Sequence, residues 1–363
     1  MTPEFWRNRR VLVTGHTGFK GGWLCLWLQK LGANVTGVAL APATDRSLFG
    51  AVDVARGMRS VIADIRDFPA LAGVFQNVRP EVVIHMAAQS LVQYSYREPL
   101  ETYSTNVMGT LHVFEAARRS GGVRAIVNVT SDKCYENNEW VWGYREIDRL
   151  GGFDPYSNSK ACAELVTASY RSSYFNPSEH AAHLVALASA RAGNVIGGGD
   201  WAVHRLVPDI LRAAEAGRPV LIRNPESVRP WQHVLEPLSG YLVLAERLYT
   251  RGAVYADGWN FGPDPSDARP VRWIVERLTS LWGRGASWQL DKNPAPHEAN
   301  YLALDCTKAR SQLDWRPCWG LETALEAIVT WHQALLAGRD MRSVTLGQIE
   351  SYCDARQWKL QSA

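Results

Sequence analysis

Apolar residues in the first half of the chain follow two alternating rhythms. Short runs rich in β-branched residues read as strands: "RVLVTG" (10–15), "NVTGVAL" (34–40), "SVIADI" (60–65), "EVVIHMAA" (81–88), "RAIVNVTS" (124–131) and "HLVALASARAGNV" (183–195). Between them, "GGWLCLWLQKLG" (21–32), "FPALAGVFQNVR" (68–79), "TYSTNVMGTLHVFEAARRSG" (102–121) and "YSNSKACAELVTASYRSSY" (156–174) carry helical spacing. Two of the four end on a Gly stop. Strands alternating with helices at this spacing predict βαβ units and a parallel sheet. Right-handed crossovers then put helices on both faces. The expected fold class is therefore α/β, a Rossmann-like doubly wound parallel sheet.

The rhythm changes after about residue 196. "GGGDW" reads as a loop, and a helix begins near Val207, with Pro208 suited to its first turn. "SVRPWQHV" is extended, and further helices are expected over "PLSGYLVLAERLYT" and near 270–283 and 321–337. The predicted organisation is a Rossmann domain over 1–195, with segments around 230–263 returning to it. Most of 196–363 is expected to form a smaller mixed α/β substrate lobe that closes over the strand ends. The sequence shows neither internal repeats nor a low-complexity linker.

Composition narrows the function classes. A hydrophobic content of 46% with mixed charge describes a globular chain. A net charge of +3, with basic residues scattered, argues against nucleic acid or an anionic membrane surface as partner. No run approaches the length of a membrane span, and the N-terminal stretch lacks the apolar core of a signal peptide. Six cysteines without a CxxC pair suggest neither a disulfide framework nor a metal site, so free thiols in the cytoplasm are expected. Fifteen tryptophans, many beyond residue 200, point to large apolar surface in the second half.

Three groups of residues carry candidate chemistry. Gly15, Gly18 and Gly21 lie between the first strand and the first helix. Glycines there let the backbone turn sharply and approach a pyrophosphate seated on the helix N-terminus. The acidic residue expected after the second strand is missing; Asp45 lies further on, and Arg46 would suit a 2′-phosphate. The loop thus leaves NAD and NADP both open. Asp64 and Ile65 follow the third strand, placed to meet an adenine edge.

Tyr156 and Lys160 sit at i, i+4 on a predicted helix and share a face. A neighbouring ammonium favours the phenolate, which makes Tyr156 a credible base. The third group is Asp132–Lys133, where the fifth strand meets a polar turn. The pair is either a turn salt bridge or an acid beside a base. The C-terminal edge of a strand is where doubly wound folds bind ligands. His85 reads as a core histidine, and Cys134 as packing.

Together these residues resemble the extended short-chain dehydrogenase/reductases that modify nucleotide sugars. The resemblance rests on the glycine turn, Asp64–Ile65, "HMAAQ" (85–89), Asn106, Thr130 and Tyr156-x-x-x-Lys160, and runs over nearly the whole chain. Longer blocks, "TSDKCYEN" (130–137), "YSNSKACAE" (156–164), "ARAGNVIGGGDW" (190–201), "RPWQHVLEPLSGYL" (229–242) and "WNFGP" (259–263), are similar to the 4,6-dehydratases of the CDP-glucose group. That resemblance implies tightly held NAD and CDP-D-glucose as substrate, with a homodimer or dimer of dimers built on the helices around 106–119 and 156–174. It implies cofactor contacts from Gly15, Thr17, Gly18, Phe19, Lys20, Gly21, Asp64, Ile65, Ala87, Ala88, Gln89, Asn106, Tyr156 and Lys160.

Substrate contacts are expected from Gln89, Asn194, Arg205, Arg229, His233 and Tyr301. Arginines suit a diphosphate because their fork donates two bonds at once. The implied chemistry takes the 4-hydroxyl proton with Tyr156 while Thr130 bonds that oxygen. Asp132 then acts as acid and Lys133 as C5 base in losing the 6-hydroxyl. In the dTDP-glucose enzymes the second residue of this pair is Glu, and here it is Lys. Both roles need uncharged side chains, which burial favours and a direct ion pair opposes. The rivals are a nucleotide-sugar 4-epimerase, a dehydratase for another nucleotide hexose, and a dinucleotide-binding protein without turnover.

Overall fold

The structure, a computed structural model, describes residues 1–283, 285–291 and 301–358. Seven parallel strands form its centre: β1 (Arg10–Thr14), β2 (Asn34–Ala39), β3 (Arg59–Ile62), β4 (Val82–His85), β5 (Ala125–Val129), β6 (Ala186–Ala192) and β7 (Gly258–Phe261). Their spatial order is β7-β6-β5-β4-β1-β2-β3. The register pairs Val13 with Ile84, Val127 with Ala188 and Trp259 with Ala190. Strand order reverses between β1 and β4, and the crevice beyond that switch point is where such sheets take ligands. The fold is the doubly wound α/β class expected.

Strand alternation builds two cores. Val11, Val13, Ile84, Val127 and Ala188 face one side, packing on Trp23 and Trp27 of α1 (Phe19–Lys30). Leu238, Tyr241 and Leu242, on a later helix, belong to the same core. Leu12, Val83, Ile126 and Leu187 face the other side, against Phe75 of α2 (Phe68–Val78) and Phe114 of α3 (Gly109–Ser120). Neighbouring strand residues therefore enter opposite cores, as a two-residue period requires. α4 (Pro155–Ser173) starts on Asp154, whose carboxylate accepts from Ser157 N, with Pro155 in the first turn.

A third core lies outside the sheet. Ile210 and Leu211 of α5 (Leu206–Glu215) pack there. The chain between 235 and 261 returns to the sheet as α6 (Leu235–Arg251) and β7. Then α7 (Val271–Trp282) and α8 (Leu321–Leu336) complete the third core with Ile274, Leu278, Leu325 and Ile328. A final helix, α9 (Met341–Ala355), was not visible in the sequence pattern and packs back on α1. Of the late tryptophans, Trp259, Trp315 and Trp331 are fully buried in the core.

The helix expected over 102–121 is in fact three pieces. A short helix at Pro99–Tyr103 runs through a π-turn at Ser104–Met108 into α3. Such π-turns recur at functional sites. Here it places Asn106, 1% exposed, against the loop after β4.

Candidate active site

The C-terminal strand ends open onto one cleft of about 1550 Å³. A pocket for one drug-sized ligand needs roughly 300–1,000 Å³, so this cleft has room for two ligands. One arm is lined by Gly15, Thr17, Gly18, Phe19, Lys20 and Gly21, with Asp64, Ile65, Ala87 and Ala88 beyond. The other is lined by Asn194, Arg205 and Arg229. Thr130, Ser131, Asp132, Lys133, Tyr156 and Lys160 line the cleft as well.

The glycine turn is tight in the way a pyrophosphate cradle demands. Gly15 has φ +80°, and a Cβ on it would stand 2.8 Å from the Ala87 nitrogen. A Cβ on Gly21 would stand 2.1 Å from the Gly15 carbonyl oxygen. α1 then begins at Gly18 without a side-chain cap, leaving its first N–H groups for another acceptor. These features fit a dinucleotide. Asp64 does not face the adenine side freely, because its carboxylate takes bonds from the Arg66 side chain at 2.8 and 2.6 Å.

Tyr156 and Lys160 lie one turn apart on α4, and both line the cleft. Lys160 Nζ donates to the Val129 carbonyl at 3.3 Å. Both residues are buried, at 8% and 6% exposure. Burial raises the Tyr156 phenol to about 12, opposed by the neighbouring Ser131 hydroxyl. Burial lowers the Lys160 ammonium to about 8, opposed by the Glu164 carboxylate. Lys20 adds a further cation: its Nζ donates to the Tyr241 hydroxyl at 3.0 Å. Burial, then Lys160 and Arg205, lower it to about 7.

The two hydroxyls beside the acid–base pair have different commitments. Thr130 Oγ1 donates to the Glu164 carboxylate behind the site. Ser131 Oγ donates to Asp132 Oδ1 at 3.0 Å and accepts from Lys133 N at 3.2 Å, and its hydroxyl neighbours the Tyr156 phenol. Ser131, which the sequence reading passed over, is therefore the hydroxyl beside the candidate base. Its signal was present: it directly precedes the Asp132–Lys133 pair.

Asp132 and Lys133 open a single 3₁₀ turn just past β5. The Asp132 side chain is 2% exposed and the Lys133 side chain 33%, with Nζ and Oδ1 4.0 Å apart. That separation is too long for a direct hydrogen bond. Asp132 Oδ2 is buried without a partner. The carboxyl is thus held by Ser131 on one oxygen and turned toward the cleft wall near Gly193 on the other, where a Cβ would come within 3.1 Å.

Other predicted contacts lie elsewhere. Gln89 and Asn106 serve each other: Gln89 N donates to Asn106 Oδ1 at 2.9 Å, and Asn106 Nδ2 donates to the Gln89 carbonyl and to Ser159. The Gln89 amide also donates to Thr102. His233 is fully buried between Trp23 and Trp319. The Tyr301 hydroxyl donates to the Val141 carbonyl. None of these four lines the cleft. Arg205 bridges Asp200 and Ser90 at its mouth. His85 is a core residue, between Thr14 and Thr110.

Comparison with known proteins places this geometry. The sequence matches the family described as GDP-mannose 4,6 dehydratase over residues 12–328. It is 58% identical over 352 residues to the CDP-glucose 4,6-dehydratase of Salmonella typhimurium, covering 97% of this chain and 98% of that one. Among solved structures, the UDP-glucose 4-epimerase of Thermotoga maritima superposes with TM-score 0.79 at 24% identity, covering 90% of this chain and 99% of that one. The NAD complex of the Bacillus anthracis dTDP-glucose 4,6-dehydratase gives TM-score 0.74 at 21% identity, covering 91% and 98%. Epimerases and dehydratases share this fold, so the fold does not choose between them.

Proposed function

This chain belongs to the GDP-mannose 4,6-dehydratase family, and we propose that within it the chain converts CDP-D-glucose to CDP-4-dehydro-6-deoxy-D-glucose and water. The observation that carries this reading is the Asp132–Lys133 pair in the same cleft as Tyr156 and Lys160. A 4-epimerase needs the Tyr–Lys pair alone. Elimination across C5–C6 needs an additional acid and base, roles that Asp132 and Lys133 would fill. The choice of the cytidine sugar is supported by the 58% identical Salmonella relative.

The residues fit NAD: the glycine turn would hold its pyrophosphate, Ile65, Ala87 and Ala88 its adenosine side, and Lys160 its nicotinamide ribose. NAD, when bound, supplies the acceptor for the C4 hydride, the return of that hydride to C6, and a positive charge beside Tyr156. Tyr156 takes the 4-hydroxyl proton, with the Ser131 hydroxyl beside the phenol. With C4 oxidised, the C5 hydrogen becomes acidic, and Lys133 removes it. Asp132 protonates the departing 6-hydroxyl, and Lys133 returns a proton to C5.

The proton ledger closes inside the site. Each turnover leaves Tyr156 one proton richer and Asp132 one proton poorer. Ser131 bonds to Asp132 and neighbours the Tyr156 phenol, so its hydroxyl would be the short route that resets them. Arg205 and Arg229 on the second arm would take the diphosphate.

The six cysteines are unpaired, which supports a reducing compartment and a cytoplasmic reaction. Among the described residues no helix is long and apolar enough to cross a membrane. Exposed Leu165 and Tyr174 at the outer face of α4 support pairing of two copies there. The test is incubation with CDP-, dTDP-, UDP- and GDP-glucose and mass analysis of the products. Loss of one water from CDP-glucose is expected. Epimerised sugar of unchanged mass, or water loss from another nucleotide sugar in preference, would overturn the proposal.

A further inference from the structure

The face of α4 that carries Tyr156 and Lys160 continues, one turn later, to Glu164. Glu164 touches no part of the cleft, yet its carboxylate is saturated. Oε1 accepts from Thr130 Oγ1 and from Arg191 Nε, the latter at 3.0 Å. Oε2 accepts from Arg191 Nη2 at 2.8 Å and Ser189 Oγ at 2.6 Å. Both partners are buried, with side-chain exposures of 3% and 6%. Burial pushes the Glu164 carboxyl up, but the Arg191 guanidinium beside it outweighs that and holds it below its ordinary range.

Arg191 reaches onward with its third nitrogen. Nη1 donates to the Tyr135 hydroxyl at 2.7 Å and to the Glu146 carbonyl at 3.0 Å. The Tyr135 hydroxyl in turn donates to Asn260 Oδ1 at 2.8 Å. The Tyr135 ring stacks on Tyr144 at 5.1 Å and lies 5.0 Å from the guanidinium carbon. One ion pair thus holds Thr130 through its carboxylate and Tyr135 through its guanidinium. Between those two anchors lie Ser131, Asp132, Lys133 and Cys134.

A buried ion pair is weak evidence for stability, because desolvating two charges offsets much of their attraction. Its value here is geometric. Asp132 has one unpartnered oxygen, and Lys133 is a third exposed with its ammonium beyond hydrogen-bond reach of Asp132. Neither side chain fixes its own position by a dense set of contacts, so the backbone that carries them must be held.

We propose that Glu164 and Arg191 are positioning residues that clamp the acid–base turn at both ends. The carboxylate half of the clamp sits on the same helix as Tyr156 and Lys160, and its guanidinium half on β6. The group that acts at C4 and the groups that act at C5 and C6 are thereby held to one rigid element. This inference rests on the dehydratase reading, because an epimerase would have no use for an oriented Asp132–Lys133 pair.

The clamp predicts which half of the reaction fails when it is loosened. Tyr135→Phe removes the hydroxyl that Arg191 holds but keeps the ring on Tyr144 and under the guanidinium, so folding is preserved. A misplacement of about 1 Å can cost on the order of 100-fold in rate. With wild-type enzyme and CDP-glucose in deuterated water, product should form with deuterium at C5. If the wild type forms no such product, the dehydratase reading itself fails.

Given wild-type turnover, Tyr135→Phe should keep KM within about twofold while kcat falls about tenfold or more. Borohydride quenching should trap a nucleotide 4-ketohexose that retains its 6-hydroxyl. Deuterium entry at C5 should fall with kcat. Glu164→Gln should show the same split, more strongly; if it does not fold, Tyr135→Phe alone decides. Unchanged kcat in Tyr135→Phe, or loss of C4 oxidation in equal proportion with no trapped ketohexose, would overturn the clamp.

Discussion

Thr130 and Ser131 are adjacent hydroxyls that the fold sends to different partners. Successive residues of an extended chain point to opposite sides, and only the structure says which side is the cleft. Thr130 was the expected partner of the sugar oxygen; its hydroxyl is instead donated to Glu164. Ser131→Ala should therefore lower kcat by about 100-fold, the lower range of a general acid–base contribution, with little change in melting temperature. Thr130→Val should act on stability as well. Leaving Glu164 short of one hydrogen bond costs about 1–3 kcal/mol, so the melting temperature falls, while kcat drops about tenfold through the loosened anchor, less than for Ser131→Ala. Steady-state kinetics beside thermal denaturation of the two variants checks this, and equal kcat losses would contradict it. What was legible at this scale was the chemistry of residue types in sequence: Asp132–Lys133, Tyr156–Lys160 and the glycines. What was not legible was the commitment of each hydroxyl, which depends on Glu164 and Arg191, distant in sequence.

At the scale of elements, the strands and the long helices of the first half follow from periodicity alone. Each strand residue has one of two cores to enter, and each helix a single apolar face, so the pattern is strong. Two features escaped. The π-turn at Ser104–Met108 has the composition of ordinary helix, and its extra residue per turn leaves no mark in the sequence. α9 reads "MRSVTLGQIESYCDA", with β-branched residues, a glycine and little amphipathic order. It is held instead by particular contacts, among them Trp331 Nε1 donating to Thr345 and the Tyr352 hydroxyl donating to Glu236. Such tertiary bonds override weak propensity. Gln89 and Asn106 show the same limit at the site: their block resembles a cofactor loop, and the structure uses the Asn106 side chain to tie the Gln89 backbone to α4 through Ser159 and the Gln89 side chain to hold Thr102.

At the scale of the whole molecule, the cleft is assembled from segments far apart in the chain, and that assembly also sets how stability responds to pH. Among the described residues four histidines are buried. Burial holds His16 at about 4, His85 at about 3, His233 at about 3 and His332 at about 4. The unfolded chain binds protons at these sites from about 6.5 downward. The folded state does not until pH 3 to 4. Their stabilising contribution is therefore complete above about 6.5 and is lost as pH falls, by up to about 1.4 kcal/mol per pH unit for each histidine. Carboxylates such as Glu164, held low, begin to lose theirs only below their unfolded value near 4.5. The melting temperature should thus fall between pH 6.5 and 5, before low-held carboxylates such as Glu164 contribute and against the opposing effect of Glu146 and Glu236, which burial raises; a flat profile over that window would contradict the burial of these rings. The reaction assigned to the whole molecule has an equally direct signature. CDP-glucose carrying deuterium at C4 should yield, with the wild-type enzyme in ordinary water, a 4-keto product one water lighter with the deuterium at C6. Deuterium that remains on C4 of a sugar of unchanged mass would contradict the account.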